Sequence, residues 1–249
     1  MLKRLVFLLF GLLLAIGIVF GVEIVLAMRR EYLPTTPALD IAGEFGDDDA
    51  RQLTFAVLGD STAAGVGAGT PDKAYPTKLA RALASRGYRV RLQAFGVSGA
   101  RVADVLDDQL DRALAIRPDL VFLGIGANDV THVTKLESVR DDMAEVLDRI
   151  EEGGAAVVVA GPPDMRSPVF YEPLRSVVGW RGDAVAAEIE KVASEAGVPV
   201  VPLADGTREF FRDDPDRYYS EDEFHPSAAG YALWADVILP YLVDELGSA

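Results

Sequence analysis

The chain opens on a run with no polar face. From Leu5 to Met28 there are 24 residues, LVFLLFGLLLAIGIVFGVEIVLAM, broken by a single charge at Glu23. About 20 apolar residues cross a bilayer as a helix, whereas the apolar part of a secretory signal covers about 7–15. The pattern predicts a single-pass signal-anchor helix over residues 5–28, within a membrane segment 1–31. Ala15-Ile16-Gly17 and Val25-Leu26-Ala27 loosely fit a cleavage site, so a cleaved signal and a secreted product remain the alternative. Lys3 and Arg4 before the span are offset by Arg29 and Arg30 after it. A long domain behind an N-terminal span crosses largely regardless of such charges, which favours an extracytoplasmic domain on a short cytoplasmic tail. Glu23, near the outer end, reads as a carboxylate tolerated close to the interface.

Residues 32–52 carry prolines, glycines, an Asp47-Asp48-Asp49 run and no periodic apolar face, which predicts a linker. From residue 53 the pattern changes to short apolar runs alternating with helical spacing. Strands are expected at Thr54–Leu58, Arg89–Phe95, Leu120–Ile125, Ala155–Ala160 and Pro199–Pro202. Helices are expected at Tyr75–Arg86, Arg101–Ile116, Leu136–Glu151, Asp183–Ala196 and Ser227–Leu246. That rhythm predicts an α/β domain over 53–249, a three-layer sandwich with helices on both faces of a mainly parallel five-stranded sheet. Ligands of such sheets bind at the carboxyl ends of the strands. The segments to watch are therefore Gly59-Asp60-Ser61, Gly96-Val97-Ser98-Gly99-Ala100, Gly126-Ala127-Asn128-Asp129 and Gly161-Pro162-Pro163-Asp164.

Composition narrows the chemistry. Hydrophobic residues make up 50% and charged ones 25% of the 249, which suits a folded domain rather than a disordered chain. There is no cysteine, so disulfides, thiolate metal sites and a thiol nucleophile are excluded. Residues 1–31 hold four of the 24 basic and two of the 39 acidic side chains, leaving 20 against 37 in the remainder. Such a domain repels polyphosphate backbones, and nucleic acid is not an expected partner. Gly65, Gly67 and Gly69 suggest a phosphate cradle, yet G-x-G-x-x-G fails at Thr70 and no Walker lysine follows, so no nucleotide site is expected. No metal or other cofactor is expected either.

If the reaction is acyl transfer through serine, it needs a general base, most often histidine. Only His132 and His225 are present. Asp222 lies three residues before His225 in a turn and is able to orient its imidazole; His132 lacks an acid at matching spacing and reads as a surface residue. Two serines compete as nucleophile. Ser98 sits in Gly96-Val97-Ser98-Gly99-Ala100, a near match to the G-x-S-x-G nucleophile elbow that fails at Ala100. Ser61 follows an apolar strand and is flanked by the small Thr62, Ala63 and Ala64. Asp60 reads as the residue that fixes the turn around Ser61. The motifs alone leave the contest open.

Together the blocks resemble the SGNH/GDSL hydrolase family. Gly59-Asp60-Ser61 is similar to its first block, with Thr62 in place of Leu or Ile. Val97-Ser98-Gly99 resembles the second, Gly126-Ala127-Asn128-Asp129 the third and Asp222-Glu223-Phe224-His225 the last, in order over about 54–245. The resemblance implies Ser61 as nucleophile, His225 as base and Asp222 as its orienting acid. It implies an oxyanion hole from the backbone N–H groups of Ser61 and Gly99 and the Asn128 side chain. It also implies a serine ester hydrolase acting on a small-molecule, glycan or lipid ester. An acyltransferase on the same site and an inactive binding module are the alternatives. The stretch 161–182 reads as a long loop whose Phe170, Tyr171 and Trp180 line an acyl or sugar pocket or pack as a satellite cluster. Physiological substrate and oligomeric state are not legible in the sequence.

Overall fold

The computed structural model describes residues 2–248. It starts with α1 (Leu2–Arg29), followed by β1 (Ala42–Phe45), β2 (Arg51–Gly59), α2 (Tyr75–Ala84) and β3 (Tyr88–Ala94). Next come α3 (Val102–Asp104), a π-helical turn at Val105–Gln109, α4 (Leu110–Ala115), β4 (Leu120–Gly124), α5 (Ala127–Thr131) and α6 (Leu136–Glu152). The chain closes with β5 (Ala156–Ala160), α7 (Leu174–Glu195), β6 (Val200–Val201), α8 (Leu203–Asp213), α9 (Pro215–Tyr218) and α10 (Ala228–Ser248).

The sheet follows from side-chain alternation. Successive residues of a strand face opposite sides, and β2, β4 and β5 are apolar on both. Phe55 and Val57, Leu120 and Phe122, Val158 and Ala160 point to one side, where Leu79 and Leu83 of α2, Phe211 of α8 and Tyr231, Ile238 and Leu242 of α10 cover them. Ala56 and Leu58, Val121 and Leu123, Val157 and Val159 point to the other, against Leu110 of α4, Met143 and Ile150 of α6 and Val185 and Ile189 of α7. A strand buried on both faces is the mark of a parallel sheet between helix layers. The strand order is β1-β3-β2-β4-β5-β6, antiparallel only where β1 meets β3. Gly59 pairs with Gly124, and Gly124 with Ala160, so β2, β4 and β5 end level with one another at the carboxyl edge.

All five expected strands are present, and the sheet has a sixth. Strand β1 falls in the stretch expected to be a linker. It is only four residues long and contains a glycine, but Ile41 and Phe45 alternate onto the α2 side of the core while the backbone pairs with Val90–Gln93. The long connection after β5 is also shorter than expected, because α7 begins at Leu174 rather than Asp183. Gly179 and Gly182, inside the stretch read as a loop, are helical glycines that make room for a neighbour. A Cβ on Gly179 would lie 2.3 Å from the Arg166 side chain, and one on Gly182 would lie 2.8 Å from Met165. Helices α8 and α9 were not anticipated.

Helix α1 is 28 residues long, about 42 Å at 1.5 Å per residue. With a mean hydropathy of 3.0 it is long and apolar enough to span a membrane or to serve as a signal sequence. Most of its side chains are exposed. Its last turns differ: Phe20 and Ala27 pack against Val169, Phe170 and Leu174. Glu23 is buried and accepts a hydrogen bond of 2.9 Å from the Leu174 N–H, the first residue of α7. Free N–H groups and the positive dipole end of a helix favour a carboxylate at that point.

Candidate active site

Strand β2 ends at Gly59, whose φ is +149°, and a Cβ there would lie 2.2 Å from the Gly124 carbonyl oxygen. Only glycine lets β2 and β4 approach this closely while the chain turns. The turn that follows is closed by Asp60: its Oδ1 accepts from the Thr62 N–H at 2.9 Å and the Thr62 hydroxyl at 2.8 Å. Asp60 thus has the turn-fixing place expected of it. Burial outweighs these hydrogen bonds and raises its carboxyl above the usual range. Ser61 lies next in the chain, buried at 9% exposure, with its hydroxyl directed at the imidazole of His225.

His225 comes from the loop between α9 and α10. An antiparallel bridge between Tyr219 and Pro226 and the Ser220 N–H donating to the His225 carbonyl at 2.8 Å pinch that loop shut. Glu223 at its tip has a φ of +55°. Ser227 then accepts from the N–H groups of Ala229 and Gly230, which starts α10. Within the loop, Asp222 Oδ1 accepts from the N–H groups of Phe224 and His225 at 3.0 and 2.9 Å. Asp222 Oδ2 lies 2.6 Å from His225 Nδ1, and His225 Nε2 lies 3.0 Å from Ser61 Oγ. Burial pushes the Asp222 carboxyl up, but hydrogen bonds from the His225 side chain and the two backbone N–H groups outweigh it and bring the pKa down to about 2. An ionised Asp222 accepts, so Nδ1 carries the proton and Nε2 is left to accept from the serine hydroxyl.

Asn128 is near the start of α5 and borders the same cleft as Ser61. One of its two amide hydrogens is donated to the Ala100 carbonyl at 3.0 Å, leaving the other for a ligand. Gly99 lies in the turn closed by the Ala100 N–H on the Val97 carbonyl, with a φ of +87°. The Val97 N–H in turn donates to the Gly59 carbonyl at 3.1 Å, so the segments of Ser61, Gly99 and Asn128 are stitched together. The cleft is lined by Ser61, Asn128, Pro163, Met165, Phe224 and His225 among others and is narrow, about 40 Å³.

The residues matched by a family model give the arrangement its place among known proteins. Residues 57–233 match the GDSL-like lipase/acylhydrolase family. The chain belongs to the GDSL-like lipase/acylhydrolase family. A GDSL-like esterase of Mycobacterium tuberculosis (strain ATCC 25618 / H37Rv), Rv1075c, is 35% identical over 195 residues. That match covers 76% of this chain and 62% of the relative's length. Solved structures share the fold: TesA has a TM-score of 0.63 at 23% identity, covering 77% of this chain and 99% of TesA. Axe2, an acetylxylan esterase from Geobacillus stearothermophilus, has a TM-score of 0.61 at 19% identity, covering 78% of this chain and 95% of Axe2.

In this GDSL-family chain the serine contest has a geometric outcome: His225 meets Ser61, not Ser98. His132 is on the exposed end of α5, its Nδ1 2.9 Å from the Asn128 carbonyl. Among the three aromatics expected near a pocket, Phe170 packs with Val169 and Leu174 as a satellite cluster, while Tyr171 and Trp180 are exposed. None of them lines the cleft. Sequence reasoning missed Gln109. Its Oε1 accepts from the Gly59 N–H at 2.9 Å and its Nε2 donates to the Gly59 carbonyl at 2.8 Å, fully buried, so it pins the end of β2. A signal existed: Gln109 is a polar residue four after Val105 on the helix's apolar stripe. The π-helical turn Val105–Gln109 accompanies it, a feature frequent at functional sites.

Proposed function

We propose that the protein is a membrane-tethered serine ester hydrolase that works through an acyl-enzyme on Ser61. The observation that carries this reading is the unbroken chain from Asp222 through His225 to Ser61, at 2.6 and 3.0 Å. Ser61 Oγ attacks the ester carbonyl while His225 Nε2 takes its proton, and Asp222 stabilises the imidazolium that forms. The carbonyl oxygen, now negative, is received by the N–H groups of Ser61 and Gly99 and the free amide hydrogen of Asn128. Collapse expels the alcohol, which leaves with the proton held on Nε2. Water then repeats the sequence against the acyl-enzyme, releasing the carboxylic acid and restoring the serine hydroxyl.

The narrow cleft supports a short acyl group. One water needs about 10–15 Å³ by the same measure, so about 40 Å³ holds a group on the scale of an acetyl. Helix α1, long and apolar enough to span a membrane, supports tethering, and the length of the domain behind it favours the extracytoplasmic side.

The test is hydrolysis of p-nitrophenyl acetate by the full chain in detergent micelles. Ser61→Ala is expected to lower kcat by at least about a thousandfold, and Ser98→Ala to leave kcat within about a factor of two. Activity surviving in Ser61→Ala, or lost in Ser98→Ala, overturns the assignment.

A further inference from the structure

Three residues that leave α1 face three consecutive residues of the histidine loop. The Arg30 guanidinium pairs with the Glu223 carboxylate. The Tyr32 ring stands edge-on to Phe224 at 5.6 Å between centroids. The Leu33 N–H donates to Asp222 Oδ2 at 3.2 Å. The last contact falls on the oxygen that also accepts from His225 Nδ1. Below them, Phe20 and Ala27 of α1 pack beside Phe224 in the satellite cluster, and Glu23 holds the first N–H of α7.

We propose that the outer end of α1 and the tether Arg30–Leu33 form a positioning element for the catalytic acid, with the Leu33 backbone N–H as its point of contact. This rests on the assignment of Asp222, His225 and Ser61 given above. The physical case has two parts. A carboxylate that orients an imidazole works only if its own rotamer is fixed, and Oδ2 has two donors: His225 itself and Leu33. Glu223 occupies a left-handed backbone conformation unfavourable to a residue with a side chain, and the loop is held there from outside. Arg30 grips its carboxylate, and the Ser167 hydroxyl donates to its carbonyl. The tether therefore supplies restraints that the loop's own residues do not.

Losing the Leu33 N–H leaves His225 Nδ1 as the one remaining donor to Oδ2 among these contacts, so the carboxylate is freer to turn away from the imidazole. The other charged or titratable groups facing this pair are Asp60, Tyr32, Tyr231 and the Arg30–Glu223 pair.

The experiment uses the full chain in phospholipid nanodiscs with p-nitrophenyl acetate. Leu33→Pro removes the N–H, and Thr35→Pro places a proline nearby without touching Asp222. Leu33→Pro is expected to lower kcat about tenfold with KM little changed. Thr35→Pro is expected to keep wild-type values. Arg30→Glu and Glu223→Arg are each expected to lower kcat, and their combination to restore much of it, a readout that stands even where Leu33→Pro does not fold. A wild-type kcat in a folded Leu33→Pro, a change in KM alone, equal losses in both proline variants, or no recovery in the charge swap overturns the positioning role. Activity retained in Ser61→Ala overturns instead the active-site assignment on which it rests.

Discussion

Asp222 is the most heavily hydrogen-bonded residue of the site, with two backbone donors on one oxygen and His225 and Leu33 on the other. Its carboxyl is lowered from 3.8 to about 2. A depressed pKa stabilises the fold above the unfolded-state value, and that contribution is lost as pH falls from about 4 through 2. It is on the order of 2 kcal/mol. Asp60, raised by burial, acts with the opposite sign: it favours the fold at low pH and loses that contribution as pH rises through its folded value. The expected outcome is that wild type loses more melting temperature than Asp222→Asn between about pH 5 and about pH 2.5, followed by circular dichroism. An equal slope in the two proteins contradicts the account. Asn128 sets a second test. Its amide is tied to the Ala100 carbonyl, so it is already aimed before substrate arrives. Asn128→Ala is expected to lower kcat about a hundredfold with little change in KM, as for removal of one oxyanion donor; a change confined to KM contradicts that role.

At the level of elements, β2 is held at its end by a side chain from the π-helical turn between α3 and α4. Gln109→Leu fills the space but leaves the buried Gly59 N–H without its partner and the Gly59 carbonyl with only the Val97 N–H, at a cost of about 1–3 kcal/mol for the unpaired N–H. The expected result is a lower urea midpoint accompanied by reduced kcat, since Ser61 is two residues away. A variant as stable and active as wild type contradicts it. The elements themselves were legible to different degrees. Strands β2, β4 and β5 announced themselves as apolar runs ending in Gly or Ala, and the blocks that follow them were readable because small residues and a hydroxyl, amide or acid are conspicuous after such runs. Strand β1 was not, because four residues with a glycine carry too short an alternation. The start of α7 was hidden because Gly179 and Gly182 look like loop punctuation until Arg166 and Met165 are seen against them.

On the scale of the whole molecule, the motifs alone left Ser61 and Ser98 in contest and the family resemblance pointed to Ser61, the serine whose hydroxyl lies 3.0 Å from His225 Nε2. Both follow strands that end at the same edge of the sheet, and the choice depends on where the loop before α10 folds back, a contact between residues 164 positions apart. The apolar N-terminal run was evident from its length; its docking onto the loop of Asp222 was not, because Arg30, Tyr32 and Leu33 carry no pattern that names a distant partner.

Gly67 lies at φ +90°, and a Cβ on it would sit 2.3 Å from the Pro226 carbonyl oxygen and 2.6 Å from the Ser220 hydroxyl. The ribbon carrying the nucleophile and the ribbon carrying its base therefore meet at close quarters, Gly67 against the Pro226 carbonyl with little more than the Ser220 hydroxyl beside them. Reshaping either one to admit a bulkier acyl group means shifting both as a single block. Room for a different acyl group is then to be sought at the other residues that line the cleft, Pro163 and Met165 among them.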